Sequence, residues 1–339
     1  MKSPRIAIII LHYKNLADTR ACLRSLRKID YPLSNLPLTK GETQRGFSVI
    51  VVNNDASDHA QTFQDEFGDF IEIIQNENNL GFAEGNNVGI RQALKDQKTN
   101  AILLLNNDTV VEPDFLSAIV KSDAGMVAPR MMRYDERNKI DNLGIVLMSS
   151  GLAFNRSDEN QKLFCPCGAC ALYSRKLLET IVIARRGTSR SNDSYYFDPS
   201  YFAYCEDLDL GWRARNAGFK PAYAKDAIVF HKGSASTNKL SDFAVYHTYR
   251  NLLWTQFKNF PAPLLLWQSP WLGVGWFFII SLYFFKGRPS IIFRALWDGA
   301  RGLRFALNRR GQIQRNRKAT QKQILSWFAS GLFPKSFVK

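Results

Sequence analysis

Neither glycine-rich nucleotide fingerprint occurs in this sequence. No G-x-G-x-x-G follows the first apolar run and no G-x-x-x-x-G-K-[ST] occurs anywhere, so dinucleotide and P-loop nucleotide folds are both without support. Cysteine is sparse: five in 339 residues, an odd number with Cys165, Cys167 and Cys170 bunched. That excludes the disulfide framework of a small secreted protein and points to a reducing compartment. The bunched thiols lack a fourth ligand at zinc spacing and read as packing residues. A secretory signal is also missing, because the apolar run Ile6 to Leu11 is shorter than an h-region and no small-residue cleavage site follows. The expectation is a cytosolic start. Acidic residues nearly vanish toward the C-terminus: residues 286–339 hold 13 Lys plus Arg against Asp298 alone, which places +12 of the net +15 there. Residues 1–285 carry only +3. A near-neutral body with a basic end suits an anionic membrane surface better than nucleic acid.

The chain does contain enough apolar residues for a core. With 45% hydrophobic and 22% charged residues it is neither disordered, collagen-like nor polytopic. Its first half alternates short β-rich runs with helical patterns, which predicts an α/β sheet with parallel strands. Strands are expected at Ile6 to Leu11, Phe47 to Val52, Phe70 to Ile74 and Ala101 to Leu105. Helices are expected at Ala17 to Ile29 and Gly85 to Lys95, and a long surface loop at Asp30 to Gly46.

Three of the strands end in polar residues: His12, Tyr13, Lys14 and Asn15; Asn53, Asn54, Asp55 and Asp58; Asn106, Asn107 and Asp108. Ligands of open α/β sheets bind outside the carboxyl ends of the strands. Each ending alone is an ordinary turn, but three on one edge point to a site. Asp108 offers a hard oxygen ligand of the kind that binds a divalent cation together with substrate phosphates. The run Asn79 to Ile90 brings Gly81, Gly85, Gly89 and repeated Asn before a helix, a composition that serves either close backbone approach to a ligand or a plain loop. Glu206, Asp207 and Asp209 crowd together among apolar neighbours, which raises carboxyl pKa values and suits a general base. A helix N-terminus favours acids for its own reasons. Ala227 to His231 is another strand, ending in a metal-ligand type and followed by Gly233, Ser234 and Ser236.

The order of these motifs resembles the inverting glycosyltransferase family 2, in particular its rhamnosyltransferase-like branch, over about residues 5 to 290. The matching elements are His12 to Asn15, Asn53 to Asp58, Asn79-Leu-Gly-Phe82 with Asn87 and Gly89, and Leu105 to Thr109. They continue with Gly168-Ala169, Phe197-Asp198, Tyr204 to Asp207 and His231 to Ser236.

The resemblance implies a GT-A, Rossmann-like mixed sheet flanked by helices and a catalytic domain at 1–240. A helical, apolar and basic membrane-associating region follows at 241–339. It implies that Asp207 is the catalytic base with Glu206 beside it, and that Asp108 with His231 holds Mg or Mn. Asn106 stands where the family's D-x-D has its first Asp. Donor contacts are implied for His12, Tyr13, Asn15, Asn53, Asp55, Asn79, Gly81, Asn87, Asn106 and Asn107, and Arg250 is a candidate for the pyrophosphate. Gly168 and Ala169 would back the acceptor. The implied partners are a nucleotide-sugar donor and a lipid-linked or glycan acceptor, with no nucleic acid. The rival from another class is a non-catalytic membrane- or nucleic-acid-binding protein with a degenerate transferase-like domain. The Q-x-x-R-W element of processive synthases is absent.

Pro261 to Phe285 contains no charged residue and is long enough to span a bilayer. A single span would separate the nucleotide-sugar domain from the basic end, although both belong in the cytoplasm. Pro270, Gly273 and Gly275 interrupt the segment, so a re-entrant or interfacial helical hairpin is expected. In the next segment Ile292, Leu296, Leu303 and Leu307 share one helical face opposite Arg294 and Arg301, which predicts an amphipathic helix on an anionic leaflet. The expected location is the cytoplasmic face of the cell membrane, peripheral or monotopic.

Overall fold

The computed structural model describes residues 4–31, 46–55, 59–183, 195–233 and 241–334. Most of the expected 30–46 loop, together with Asp58, Ser234 and Ser236, lies outside the described residues.

The four apolar runs form one half of the sheet. β1 (Ile6–His12), β2 (Phe47–Asn53), β3 (Glu72–Gln75) and β4 (Ala101–Asn106) run parallel in the order β3-β2-β1-β4, connected through α1 (Leu16–Leu26), α2 (His59–Phe67) and α3 (Gly81–Lys95). Helices on both faces bury β1 from both sides, which is why Ile6 to Ile10 is an unbroken apolar run. Asn15 starts α1 by accepting from the Asp18 N–H at 3.2 Å, a side-chain cap on an otherwise unsatisfied donor.

The glycine-rich run behaves differently from a ligand loop. α3 begins at Gly81, and a Cβ at Gly85 would lie 2.5 Å from Leu11 while one at Gly89 would lie 2.5 Å from Ile9. These glycines let α3 press onto β1.

After β4 the sheet becomes mixed. The chain continues through β5 (Thr109–Val111), α4 (Phe115–Ile119), β6 (Met126–Arg133), β7 (Ile140–Asn142), β8 (Ile145–Leu147) and β9 (Ala153–Asn155). It then forms β10 (Cys170–Ser174), α5 (Arg175–Ile181), α6 (Glu206–Asn216) and β11 (Pro221–His231). Strand β10 lies antiparallel between β4 and β6, β11 runs parallel to β6, and β5 closes the far side against β11. The pairing of His231 with Thr109 brings the end of β11 to the turn that carries Asp108.

Five helices follow among the described residues: α7 (Asp242–Asn259), α8 (Ala262–Phe285), α9 (Pro289–Arg301), α10 (Leu303–Arg315) and α11 (Gln321–Leu325). The hairpin expected at 261–285 is not formed, because α8 is one uninterrupted helix. Pro270 cannot donate to the Leu266 carbonyl four residues back, a loss that normally kinks a helix. The Ser269 hydroxyl donates to that same carbonyl at 2.7 Å and replaces the missing bond. Gly275 serves close packing, since a Cβ there would lie 2.7 Å from the Ser150 carbonyl.

The single amphipathic face expected at 292–307 is also divided. The chain breaks at Gly302, where a Cβ would lie 2.4 Å from Trp254. Ile292 is fully buried on the body and Leu296 half-buried, while Leu307 is exposed on α10.

Candidate active site

Two strand ends and one helix start converge at the carboxyl edge. Asp108, in the turn after β4, is largely buried, and its oxygen lies 3.3 Å from His231 Nε2. On the other side of the ring, His231 Nδ1 is 2.8 Å from Asp141 Oδ2. Burial alone would lower the His231 pKa, but hydrogen bonds and charge from Asp108 and Asp141 overcome it and raise the pKa to about 10. A histidine whose Nδ1 is held by a carboxylate, with Nε2 aimed at a second carboxylate, has the arrangement of a metal ligand and its orienting partner. The 3.3 Å spacing is that of neighbouring ligands around one small cation, so the residues present fit a divalent ion.

Glu206 and Asp207 open α6 from a strained approach. Phe202, Tyr204 and Cys205 all adopt left-handed backbone angles, with φ of 63°, 68° and 63°. Each costs on the order of 1 kcal/mol in a non-glycine residue, and such strain gathers where surrounding structure enforces it. Buried Asn251 enforces it here: its Nδ2 donates to the carbonyls of Tyr201, Ala203 and Tyr204 at 3.0, 2.9 and 2.8 Å.

The three acids of this segment then part company. Asp207 Oδ2 accepts from the Gly168 N–H and Oδ1 from the Leu208 N–H, both at 2.7 Å. Burial raises its pKa despite those bonds. Glu206 is pushed well above the carboxylate range by burial and then by the charge of Asp207. Its Oε2 is buried with no hydrogen-bond partner among the described residues. Asp209 instead points into the body, where Lys258 lies at 3.0 Å and Arg213 at 2.9 Å. Burial would raise its pKa, but those two cations hold it low. Asp209 is a structural anion.

Gly168 faces this pair. A Cβ there would sit 3.2 Å from Phe82 and 3.4 Å from Glu206 Oε1, so the glycine keeps open the space in front of the carboxylates. Ala169 lies beside β4, its carbonyl accepting from the Asn106 N–H at 2.8 Å. The Cys167 thiol is buried and pushed up to about 12 by that burial, and Cys165 and Cys170 are likewise raised, so all three sit protonated in the core.

The donor-edge residues divide into two groups. Tyr13 is exposed, and Asp55 accepts from the Lys14 N–H at 3.1 Å at the rim. Asn106 and Asn107 end β4, with Asn107 Nδ2 donating to Thr19 Oγ1 at 2.9 Å. The others are tied by hydrogen bonds or packing, and all of them but Asn79 and Gly81 have buried polar side chains. Asn53 is buried and donates to Gln75 Oε1 at 2.7 Å. Asn79 accepts from the Gly81 N–H at 2.9 Å, and Gly81 packs on Phe202 with φ of 76°. Asn87 is saturated, donating to Phe197 O and accepting from the N–H groups of Tyr196 and Phe197. Asn53 and Asn87 hold the edge together from within and do not present their amides to a ligand, whereas Asn79 is exposed at that edge; His12, also buried, pairs with Thr19 and His59. Arg250 lies apart, donating to the Ser200 and Tyr201 carbonyls at the wall of a cavity of about 380 Å³ shared with Trp254, Arg301 and Arg304.

The family profile described as Glycosyltransferase like family 2 matches residues 4–251. The chain belongs to that family. This glycosyltransferase is 22% identical over 280 residues to the low-salt glycan biosynthesis hexosyltransferase Agl10 of Haloferax volcanii, covering 78% of this chain and 85% of that one. Its fold is similar to that of S. aureus TarS 1–349 in complex with UDP-GlcNAc, with a TM-score of 0.55 at 16% identity over 92% of this chain and 89% of that chain. It is also similar to the mannosyltransferase PcManGT from Pyrobaculum calidifontis in complex with GDP-Man and Mn²⁺, with a TM-score of 0.50 at 15% identity over 92% and 86% of the two chains. The architecture is therefore GT-A.

Sequence reasoning on the glycosyltransferase overlooked Asp141 and the role of Asn251. Asp141 lies 90 residues before its partner His231, in a stretch with no motif. Asn251 carries no local signal either, because the carbonyls it binds lie 47 to 50 residues earlier and its burial is set by that packing.

Proposed function

We propose that the chain is a metal-dependent inverting hexosyltransferase. It moves a sugar, with rhamnose among the candidates, from a nucleotide-sugar donor to a lipid-linked or polysaccharide acceptor at the cytoplasmic face of the cell membrane. The observation that carries this reading is the pair Glu206 and Asp207 at the start of α6. Inversion requires a base to take the proton of the attacking hydroxyl. Asp207 is oriented by two backbone N–H groups, and its raised pKa brings it closer to neutrality, as a base requires. Burial and the charge of Asp207 favour the protonated form of Glu206, whose buried Oε2 is left for an acceptor hydroxyl. Gly168 and Ala169 form the wall on which the acceptor would rest.

Asp108 and His231 would hold Mg²⁺ or Mn²⁺. Such an ion supplies countercharge for a departing nucleoside diphosphate. Tyr13, Asn15, Asp55, Asn79, Asn106 and Asn107 border the donor edge, while Asn53, Gly81, Asn87 and His12 shape it from within. Because Lys258 and Asn259 of α7 bond Asp209 of α6, we draw the catalytic body through α7. Helices α8 to α11 then form the layer that meets the membrane, and support for this comes from exposed Trp267, Phe277, Phe285 and Trp297.

The test is Asp207→Asn. The variant is expected to fold, to keep nucleotide-sugar binding in the presence of Mn²⁺, and to lose nearly all transfer; undiminished transfer would refute the assignment. A wild-type chain stabilised by neither Mn²⁺ nor any of UDP-, dTDP- and GDP-sugars would favour a degenerate binding protein.

A further inference from the structure

Away from Asp108 and His231, a second set of ligand-type side chains meets where β1 and β2 end and α2 begins. Ligand atoms of His12, Asp55 and His59 all lie within 4.8 Å of one another, and His12 Nε2 is 2.9 Å from His59 Nδ1. We propose that these three residues form a separate site for a divalent transition metal of the Zn²⁺ type.

The contacts around His12 leave Nε2 facing His59 and Nδ1 facing Thr19. Thr19 Oγ1 has one proton, and the Asn15 carbonyl at 3.2 Å can only accept it. With that proton on the Asn15 carbonyl, Thr19 Oγ1 accepts from Asn107 Nδ2 at 2.9 Å and from His12 Nδ1 at 2.7 Å. In this tautomer, the one the proposed site uses, His12 carries its proton on Nδ1 and turns the Nε2 lone pair toward His59. A ring nitrogen held by an oxygen while the other faces the ion is the usual outer support of a metal-bound histidine. One oxygen of Asp55 is oriented in the same way by the Lys14 N–H.

The surroundings favour the neutral imidazole that metals bind. His12 is fully buried, with the ring of Phe63 edge-on at 4.9 Å. Burial, reinforced by His59 and opposed by Asp55, holds its pKa down to about 4. Two imidazoles and a carboxylate at this spacing suit Zn²⁺, Co²⁺ or Ni²⁺ better than Mg²⁺, which prefers all-oxygen shells. On binding, the proton held between the two facing nitrogens is displaced, so both become ligands. Ligands about 2.0–2.1 Å from a tetrahedral ion are about 3.3 Å apart, so the two rings need to separate by only a few tenths of an ångström. An ion here would pin Asp55, one of the donor-edge groups; that consequence rests on the donor reading, whereas occupancy of the site does not.

The experiment is a Co²⁺ titration of chelator-stripped, full-length Asp108→Asn protein without nucleotide, followed by the visible d–d absorption of tetrahedral Co²⁺. One Co²⁺ per chain, displaced by Zn²⁺, is expected. Adding His59→Gln or Asp55→Asn should weaken binding at least about 100-fold, and adding Thr19→Val about 10- to 100-fold, the range for outer-shell partners. His59 and Asp55 are only half-buried, so both variants should keep the far-UV circular dichroism of the parent. The proposal falls if the Asp108→Asn protein binds no Co²⁺, or if both ligand variants bind it as tightly as the parent.

Discussion

The Gly168 N–H donates to Oδ2 of Asp207 at 2.7 Å, tying the segment before β10 to the first turn of α6. The bond aims one carboxylate while burial makes its ionisation harder. As the proposed base, Asp207 is competent only above its own raised pKa. The acid limb of kcat/KM should therefore lie above the ordinary aspartate value of about 4. A pH–rate profile checks this, and a limb at or below that value would remove Asp207 from the role.

Lys258 is buried between two carboxylates, 2.8 Å from Asp198 and 3.0 Å from Asp209. Replacing it by Met leaves buried negative charge with less compensation. Removing one partner of such a pair costs about 3–5 kcal/mol. Lys258→Met should lower stability by that amount in urea unfolding; an unchanged midpoint would mean that α7 is not locked to α6 through this cluster.

The histidines predict a stability maximum in metal-free protein. Burial, then the charge of Arg250, depresses His247 to about 4, and His12 is held equally low. Between that value and the unfolded 6.5 the unfolded chain binds more protons, so stability falls as pH drops through this window. His231 acts in the opposite direction. With a folded pKa of about 10, its contribution is complete below pH 6.5 and is lost as pH rises toward 10. Thermal melts in chelator should peak near pH 6.5, and His231→Gln should flatten the alkaline side. An alkaline slope as steep in His231→Gln as in wild type would show that the loss arises elsewhere.

What the sequence revealed and what it hid follow from how local each cause is. The strands at Ile6, Phe47 and Ala101 were legible because burial on both faces demands unbroken apolar runs. Their polar endings located the edge for the same reason. The glycines of α3 misled because a helix pressed on a sheet and a backbone pressed on a ligand call for the same residue. Pro270 misled because Ser269 restores the lost bond, and a side chain's rotamer is invisible in the sequence. Asp209 could not be separated from Glu206 and Asp207, since its partner Lys258 lies 49 residues away.

Helix α8 divides its sequence between one face packed on the body and one exposed apolar face. Leu264, Gln268, Leu272, Gly275, Ile279 and Tyr283 form one buried stripe, while Leu266, Trp267, Phe277 and Phe285 are between 62% and 86% exposed. Phe293 and Trp297 of α9 extend the exposed apolar surface, with Arg294 beside them. An exposed aromatic face of this kind marks a contact surface, and the proposed membrane layer would use it. Two forces would hold it on an anionic leaflet: burial of each large side chain at about 1.5–3 kcal/mol, and about 1 kcal/mol for each nearby Lys or Arg. The first resists salt and the second does not. Trp267→Ser with Phe277→Ser should therefore weaken binding to phosphatidylserine-containing vesicles about 100-fold, equivalent to roughly 3 kcal/mol. In about 1 M salt, where the Debye length is about 3 Å, wild-type protein should remain partly bound. Vesicle co-sedimentation measures both. Complete release by salt, with no effect of the double substitution, would mean that the basic residues alone make the contact and that the aromatic face serves something else.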